Sequence, residues 1–378
     1  MDGTIRARMD WADVDPGEAS EAIAAAAIAT LDWVALAKVK PAPKAFVIPL
    51  LAPAGEVTLF TGAGSAGKSL LAQQLATALA AGVQTLRLNM GQAPAIYLTC
   101  EDDEGQLHWR QAHICEALGV PMASLAGMLE VASLRGALDN ALGVAGPDGE
   151  FTLSASYHRI AALIRRTGAK LVALDNVAHL FPGNENDRGE VTRFVNALNR
   201  LAGDSGAAII LLGHPNKSGD DYSGSTAWLN AVRSQFVIEH DLQTDMRTLT
   251  VGKANYARKG ERLRFAWVDW AFVLEDDLPP DTARKLADTA KAHAGNDAFL
   301  RCLALCTEQR RNVSHKPGSN YAPKIFAGMP AAKGMKKPEF EAAMERLLGL
   351  KAIECDAELW RGDDRKTRRG IRLVEGGK

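Results

Sequence analysis

The fold is decided by eight consecutive residues, Gly62-Ala63-Gly64-Ser65-Ala66-Gly67-Lys68-Ser69. They follow an apolar run, Val57–Thr61, that is typical of a buried strand, and they open a pattern, Lys68–Ala81, that predicts an amphipathic helix. This is GxxxxGK[ST] in the strand–loop–helix context that the motif requires. The glycines let backbone N–H groups surround a β-phosphate, Lys68 supplies positive charge for the β- and γ-phosphates, and Ser69 supplies a hydroxyl ligand for Mg²⁺. The stretch therefore predicts a P-loop that binds ATP and Mg²⁺.

The same glycines also satisfy GxGxxG, the pattern of a dinucleotide-binding loop. That interpretation requires an acidic residue about 20 positions further on, at the end of the next strand, to bind a ribose. The next apolar run ends near Cys100, more than 30 residues after the loop, and the pair Lys68-Ser69 would have no role. The P-loop interpretation is therefore favoured.

Short apolar runs alternate with helical patterns such as Glu190–Ala202 from about residue 46 to about residue 275. This alternation predicts an α/β domain, a P-loop core of the RecA type with a mainly parallel sheet. The candidate strands are Val57–Thr61, Ala95–Cys100, Leu171–Asp175, Ala207–Gly213, Gln235–His240, Thr248–Lys253 and Arg264–Val268. The first four are almost entirely apolar, as expected of central strands that are covered on both faces.

The remaining patterns predict four segments along the chain. Residues 1–45 form an N-terminal helical extension with an Ala-rich helix from Glu18 to about Lys38, residues 46–275 the ATPase domain, residues 276–295 a linker, and residues 296–378 a small basic domain. In the last segment we expect three helices and a hairpin of Ala352–Cys355 with Ile371–Val374, the outline of a winged helix. A small capping bundle is the alternative.

Charge and cysteine content exclude several classes of protein. The formal net charge of −1 excludes a histone-like basic protein, yet residues 281–378 hold 20 Lys/Arg and 13 Asp/Glu, against 24 and 32 in residues 1–280. Five cysteines without CxxC spacing predict a reduced, cytoplasmic chain with no disulfide framework and no zinc site. The longest Ala-rich stretch contains Asp32 and follows acidic residues, which argues against both a signal peptide and a membrane span. We therefore expect no membrane as a partner.

Three polar residues at the ends of candidate strands complete a hydrolytic site. Asp175 ends an apolar strand, the pattern of a Walker B carboxylate that holds Mg²⁺ through water; a simple capping role is the alternative. Asn176 rather than a glutamate follows it, so Glu101, after the strand that ends at Cys100, is the candidate base; we expect this strand to lie beside the P-loop strand. His214 follows a further apolar strand and is either a γ-phosphate sensor or a structural histidine.

These motifs resemble those of RecA/DnaB-like P-loop ATPases, most closely the RepA-type hexameric replicative helicases and the AAA-family ATPases of phages and mobile elements. The resemblance covers roughly residues 45–270 and includes Gly224–Trp228 and Lys253–Tyr256. It implies a hexameric ring with ATP between subunits, and it assigns the arginine that acts in trans to Arg233 and a second inserted cation to Lys253. It also implies that the loops Pro182–Gly189 and Pro215–Ser225 face a channel and contact single-stranded DNA.

The basic C-terminal segment predicts a second contact with DNA. Its cations lie between the two candidate strands, at Arg361, Arg365, Lys366, Arg368 and Arg369, and before the third helix, at Lys333, Lys336 and Lys337. A positive wing fits the backbone of duplex DNA, and a solvated charged hairpin is the alternative. The expected function is an ATP-hydrolysing motor that acts on DNA in replication as a helicase. The alternatives are an ATP-gated DNA-binding regulator or loader without unwinding activity, and a recombinase-like filament.

Overall fold

A computed structural model describes residues 30–146, 151–213, 226–256, 260–362 and 364–374. The chain forms two compact units, Met1–Lys44 and Ala45–Lys378. In the first unit the described residues contain one short helix, α1 (Trp33–Leu36), which Asp32 caps by accepting hydrogen bonds from the backbone of Val34 and Ala35. The predicted Ala-rich helix lies mostly outside the described residues.

The second unit is built on a nine-stranded sheet with the order β13-β12-β11-β10-β3-β9-β8-β4-β5. Neighbouring strands are parallel from β10 to β5 and antiparallel from β10 to β13. The predicted α/β class with a mainly parallel central sheet is confirmed. The strands of the unit before the C-terminal domain are β1 (Phe46–Ile48), β2 (Ala52–Pro53), β3 (Val57–Gly62), β4 (Ala95–Thr99), β5 (Leu129–Ser133), β6 (Gly143–Ala145), β7 (Phe151–Leu153), β8 (Leu171–Asp175), β9 (Ala208–Leu212), β10 (Ser234–Asp241), β11 (Met246–Ala254), β12 (Arg262–Val268) and β13 (Ala271–Leu274).

Helices cover both faces of this sheet. They are α2 (Lys68–Ala81), α3 (Glu104–Leu118), α4 (Ala155–Thr167), α5 (Val177–Leu180), α6 (Arg188–Ser205) and α7 (Thr226–Ala231). Because side chains alternate along a strand, Phe60 faces a core shared with α2, whereas its neighbour Leu59 faces a second core that contains Ile160 of α4 and Phe194 of α6. Burial on both faces is the reason why the central strands read as unbroken apolar runs.

The order of the strands corrects one expectation. The strand that carries Glu101 at its end does not lie beside the P-loop strand, because β9 and β8 stand between β3 and β4. The chain leaves β3, passes through α2 and forms β4 three positions away, and later segments fill the gap. The direct neighbour of β4 is β8, with Thr99 paired to Asp175. Glu101 therefore approaches the P-loop across the end of β8, the strand that carries Asp175.

The C-terminal part has a separate hydrophobic core. It consists of α8 (Pro280–Glu308), α9 (Ala322–Ala327), α10 (Lys337–Gly349) and an antiparallel hairpin of β14 (Ile353–Arg361) and β15 (Thr367–Leu373). The residues predicted as a linker, 276–295, form a short 3₁₀ turn and then the first half of α8. The buried residues of α8 begin at Gly295, so packing of the domain starts in the middle of a continuous helix. The segment boundaries themselves stay predictions.

Both strands of this hairpin are longer than predicted. The predicted four-residue strands extend to Arg361 and back to Thr367, because alternating exposed and half-buried side chains continue the ladder beyond the apolar residues. The carbonyl of Val313, in the loop between α8 and α9, accepts a hydrogen bond of 2.9 Å from the backbone of Ile371. None of the described helices is long and apolar enough to cross a membrane.

Candidate functional site

The P-loop closes around the side chain of Lys68. Its Nζ donates hydrogen bonds to the carbonyls of Gly62 at 2.7 Å and Ala63 at 3.1 Å, and the residue is only 6% exposed. Gly67 has a φ of +99° at the start of α2, and a Cβ there would lie 2.4 Å from the ring of Phe272. Only glycine fits this position, since both the backbone conformation and the space exclude a side chain. The loop thus holds a buried positive charge at the amino end of a helix.

Asp175, the predicted Walker B carboxylate, lies against the P-loop. It is 2% exposed and accepts hydrogen bonds from the Ser69 hydroxyl and from the Tyr97 hydroxyl, the latter at 2.8 Å. Burial raises the pKa of Asp175, and the two hydrogen bonds oppose that shift. Burial likewise lowers the pKa of Lys68, although the charges of Asp175 and Glu101 counteract it. Opposite charges that are buried side by side keep one another ionised.

The side chains of Ser69, Asp175 and Lys68 have the chemistry needed to bind a complex of Mg²⁺ with a nucleotide. The Ser69 hydroxyl and the Asp175 carboxylate are hard oxygen ligands in hydrogen-bond contact, which is the donor chemistry that Mg²⁺ prefers. Mg²⁺ is bound by one or two protein oxygens together with substrate phosphates and waters, so this pair suffices. Ser69 and Asp175 would hold the ion, and Lys68 would contact the phosphates.

Glu101 lies at the same cavity and is held by Asn176. The Nδ2 atom of Asn176 donates a hydrogen bond of 2.5 Å to Oε1 of Glu101. Asn176 is 1% exposed, whereas Glu101 is exposed and lines the cavity with Lys68 and Asp175. The structure therefore brings the candidate base to the predicted phosphate site.

A partly buried polar bridge connects the segment after Glu101 to the P-loop helix. Arg110 of α3 pairs with Asp102 at 2.7 Å and donates to the side-chain oxygen of Gln73 at 3.2 Å. Gln73 lies little more than one turn after Lys68 in α2. The bridge fixes α2 and α3 relative to each other on either side of the cavity.

Aromatic side chains form the far wall of this cavity, whose volume is about 300 Å³. Trp109 of α3 contacts Trp270 edge to face at a ring distance of 4.2 Å, and Trp267 of β12 contacts Trp270 at 4.4 Å. The cavity is lined by Ser65, Gly67, Lys68, Ser69, Leu70, Glu101, Gln106, Trp109, Arg110, Asp175, Arg247, Trp267, Trp270 and Phe272. The phosphate site and the tryptophan wall thus belong to one continuous pocket.

Trp270 occupies an unusual backbone position. It is the second residue of the two-residue turn between β12 and β13, and both turn residues have positive φ, 45° for Asp269 and 68° for Trp270. Turns of this type favour glycine or asparagine, and a bulky side chain there is strained. A costly residue that faces a cavity is a common sign of a functional position. Sequence reasoning missed this wall, for which the closely spaced Trp267 and Trp270 are the available signal.

Arg233 and Lys253 lie close together. They are near the amino end of the P-loop strand, whereas the P-loop follows the carboxyl end of that strand. Ser234 pairs with Thr58 near the start of β3, and Gln235 pairs with Lys253, whereas the P-loop follows the end of β3. The six residues from Val57 to Gly62 span five steps along the strand, so the two ends of β3 lie about 16 Å apart. Burial and then the charge of Arg233 lower the pKa of Lys253. Among the described residues, no carboxylate forms an ion pair with either cation.

The remaining predicted residues divide into two groups. His214 and the loop Pro215–Ser225 lie outside the described residues, so their roles stay predictions. The other loop, Pro182–Gly189, is shorter than predicted because α6 begins at Arg188, where Asp187 caps it by accepting a hydrogen bond from the backbone of Glu190.

The basic residues of the C-terminal hairpin are largely compensated by acids. Arg361 ends β14, and Arg368 and Arg369 lie within β15, so the expectation that all five cations fall between the strands was wrong. Arg368 pairs with Asp364 at 3.1 Å, and Arg369 pairs with Glu358 on the facing strand at 2.6 Å. Residues 353–373 hold six basic and five acidic residues. The excess positive charge is concentrated at the tip, with Arg361, Arg365 and Lys366.

A buried lysine inside a glycine-rich loop, beside a serine and a strand-terminal aspartate, is the arrangement of P-loop nucleoside triphosphatases, and the chain is a protein of that class. A family model described as an AAA domain, AAA_25, matches residues 24–220, more than half of the 378 residues. The chain therefore belongs to this family of AAA-domain proteins, which supports ATPase activity. The match includes the P-loop, Glu101 and Asp175, and it ends before Arg233, Lys253 and the Trp267–Trp270 wall.

Proposed function

We propose that the chain is a ring-forming, Mg²⁺-dependent ATPase motor that acts on DNA, of the RepA-like replicative helicase type. The observation that carries the proposal is the position of Arg233 and Lys253. These two neighbouring cations have no ion-pair partner among the described residues. They lie about 16 Å from the end of β3 that carries the P-loop of their own subunit. Such a pair suits the phosphates of a nucleotide bound to an adjacent copy, which requires an assembly.

Within one subunit, each residue of the site has a separate role in ATP hydrolysis. Lys68 binds the β- and γ-phosphates and Ser69 and Asp175 hold the metal, which when bound neutralises charge on the phosphates. Glu101 lies at the same cavity and accepts a proton from the attacking water. Tyr97 keeps Asp175 in place through its hydrogen bond.

The tryptophan wall is the proposed binding surface for the base of the nucleotide. Stacking of a base on an aromatic ring contributes about 1–3 kcal/mol. Replacing Trp270 with alanine should therefore weaken nucleotide binding about 5- to 150-fold and leave kcat at saturation within a factor of about three. Binding is measured by titration calorimetry with ATP and Mg²⁺, and with the tripolyphosphate ion as a ligand that lacks a base.

The matched control for this prediction is Trp360→Ala, since Trp360 lies on the C-terminal hairpin, away from the cavity. It should bind ATP like the unaltered protein. Equal weakening of ATP and tripolyphosphate binding in the Trp270 variant would contradict the role in base binding.

The tip of the C-terminal hairpin is the proposed contact with duplex DNA, in a domain whose three helices and hairpin resemble a winged helix. If the three cations there contact phosphates, the log–log salt dependence of DNA affinity should include about −2.7 from this tip. The full-length triple variant Arg361→Ala/Arg365→Ala/Lys366→Ala should lose that part of the slope in fluorescence anisotropy titrations at several salt concentrations.

The control is the triple variant Arg284→Ala/Lys285→Ala/Arg301→Ala, which removes three exposed cations of α8. Its salt slope should match that of the unaltered protein. An unchanged slope in the hairpin variant would assign DNA binding to another surface.

A second candidate function is an ATP-gated DNA-binding regulator or loader that does not unwind DNA. It is favoured by the acidic character of the loop at 182–187, which carries Glu185 and Asp187 and is not the positive funnel of a strong single-strand binder. Unwinding of a forked duplex, measured together with DNA-stimulated ATPase activity, distinguishes the two functions. Negative-stain imaging with ATP and DNA then tests for closed rings, because open filaments would indicate a recombinase-like protein.

A further inference from the structure

Both polar atoms of the Asn176 side-chain amide form hydrogen bonds. Its Oδ1 accepts a hydrogen bond of 3.0 Å from the backbone N–H of Ala178, which caps α5, and its Nδ2 donates to Oε1 of Glu101 at 2.5 Å. A backbone N–H can only donate, so the amide oxygen must face Ala178 and the amide nitrogen must face Glu101. The direction of the hydrogen bond to Glu101 is therefore determined by the cap.

Burial makes this arrangement rigid. Asn176 is 1% exposed, and it directly follows Asp175, whose side chain is fixed by Ser69 and Tyr97. Glu101, in contrast, is exposed and follows the end of β4. A flexible glutamate side chain at such a place needs a fixed partner if its carboxylate is to keep one orientation, and Asn176 is that partner.

We propose that Asn176 is a positioning residue that orients the carboxylate of Glu101 for activation of the attacking water. The inference rests on the proposed function and extends it to a residue that touches neither nucleotide nor water. In the step that it serves, Glu101 accepts a proton from a water whose oxygen bonds to the γ-phosphorus, while the bond from that phosphorus to the β–γ bridging oxygen breaks. Asn176 exchanges no proton in this step.

Asn176→Ser distinguishes the two hydrogen bonds of the side chain, because it can keep the cap of α5 and removes the donor to Glu101. Serine is as good a helix cap as asparagine, so α5 and the melting temperature should be preserved, whereas the donor to Glu101 is lost. Misplacement of a reacting group by about 1 Å can cost about 100-fold in rate. We expect kcat for ATP to fall about 10- to 100-fold, while KM and the dissociation constant for ATP change less than about threefold.

The matched control is Asn140→Ser. Asn140 is half-buried and its Nδ2 donates to the carbonyl of Leu134, so the same substitution removes one amide donor away from Glu101. This variant should hydrolyse ATP like the unaltered protein.

A double-mutant cycle with Glu101→Gln provides the decisive readout. If Asn176 acts through Glu101, Asn176→Ser has no further effect in the Glu101→Gln background. An equal loss in both backgrounds, or an unchanged kcat in Asn176→Ser alone, would overturn the inference and leave the proposed function standing. An unaltered protein that binds ATP and Mg²⁺ without hydrolysing them would overturn both.

Discussion

Replacing Lys68 with alanine should reduce the rate of ATP hydrolysis by at least about 10²- to 10³-fold, the usual cost of removing one preorganised group that stabilises transition-state charge. Lys68 is almost completely buried, and its Nζ lies between two P-loop carbonyls within the fields of Asp175 and Glu101. In the variant, the phosphate charge meets these two carboxylates without the opposing cation. ATP binding should weaken as well. Phosphate release at saturating ATP and titration calorimetry measure the two effects.

Lys170→Ala is the matched control for this prediction. Lys170 is exposed, and its Nζ reaches only the carbonyl of Ser205 at 3.5 Å, on the far side of the sheet from the P-loop. This variant should hydrolyse ATP normally. A Lys68 variant that keeps its melting temperature and hydrolyses ATP within a factor of two of the unaltered protein would exclude the P-loop as the site of hydrolysis.

Replacing Arg233 with alanine should leave ATP binding unchanged and reduce kcat by about 10³- to 10⁵-fold, the effect expected of an arginine that reaches the transferred phosphoryl group from a neighbouring subunit. Arg233 is exposed, and it lies near the start of β3, whereas its own P-loop follows the end of that strand. It therefore cannot contribute to ATP binding in the same chain. Arg262→Ala, which removes an exposed arginine at the start of β12, is the matched control and should retain full activity.

Mixing two inactive variants tests the trans arrangement directly. An Arg233→Ala subunit has an intact P-loop, and a Lys68→Ala subunit has an intact Arg233. In a mixed assembly some interfaces therefore contain both intact parts, and activity should reappear on mixing although neither variant is active alone. Full turnover by the Arg233 variant alone would contradict this role, as would a failure of mixed assemblies to recover activity when mass spectrometry shows that the subunits have exchanged.

The parts of this protein that could be predicted are those encoded locally. The P-loop, the strand that ends at Asp175 and α2 are each specified by residues adjacent in sequence, and the structure has them at or close to the predicted bounds. The hairpin of the C-terminal domain was predicted too short, because its outer residues pair through the backbone without an apolar signal. The ion pair between Glu358 and Arg369 could not be predicted for a related reason, since it forms only across the paired strands.

By itself, the sequence determined the α/β class and the P-loop, and it predicted Lys68, Ser69, Asp175 and Glu101 as residues of one site, which the structure brings to one cavity. Only the tertiary structure decided that Glu101 is held by Asn176 and that Trp109 and Trp270 line the same cavity. It also placed Arg233 and Lys253 at the end of the P-loop strand that lies away from the P-loop. The physical reason is the distance along the chain. Motif chemistry depends on neighbouring residues, whereas these contacts join segments that meet only when β9 and β8 insert between β3 and β4 and the antiparallel strands extend the sheet.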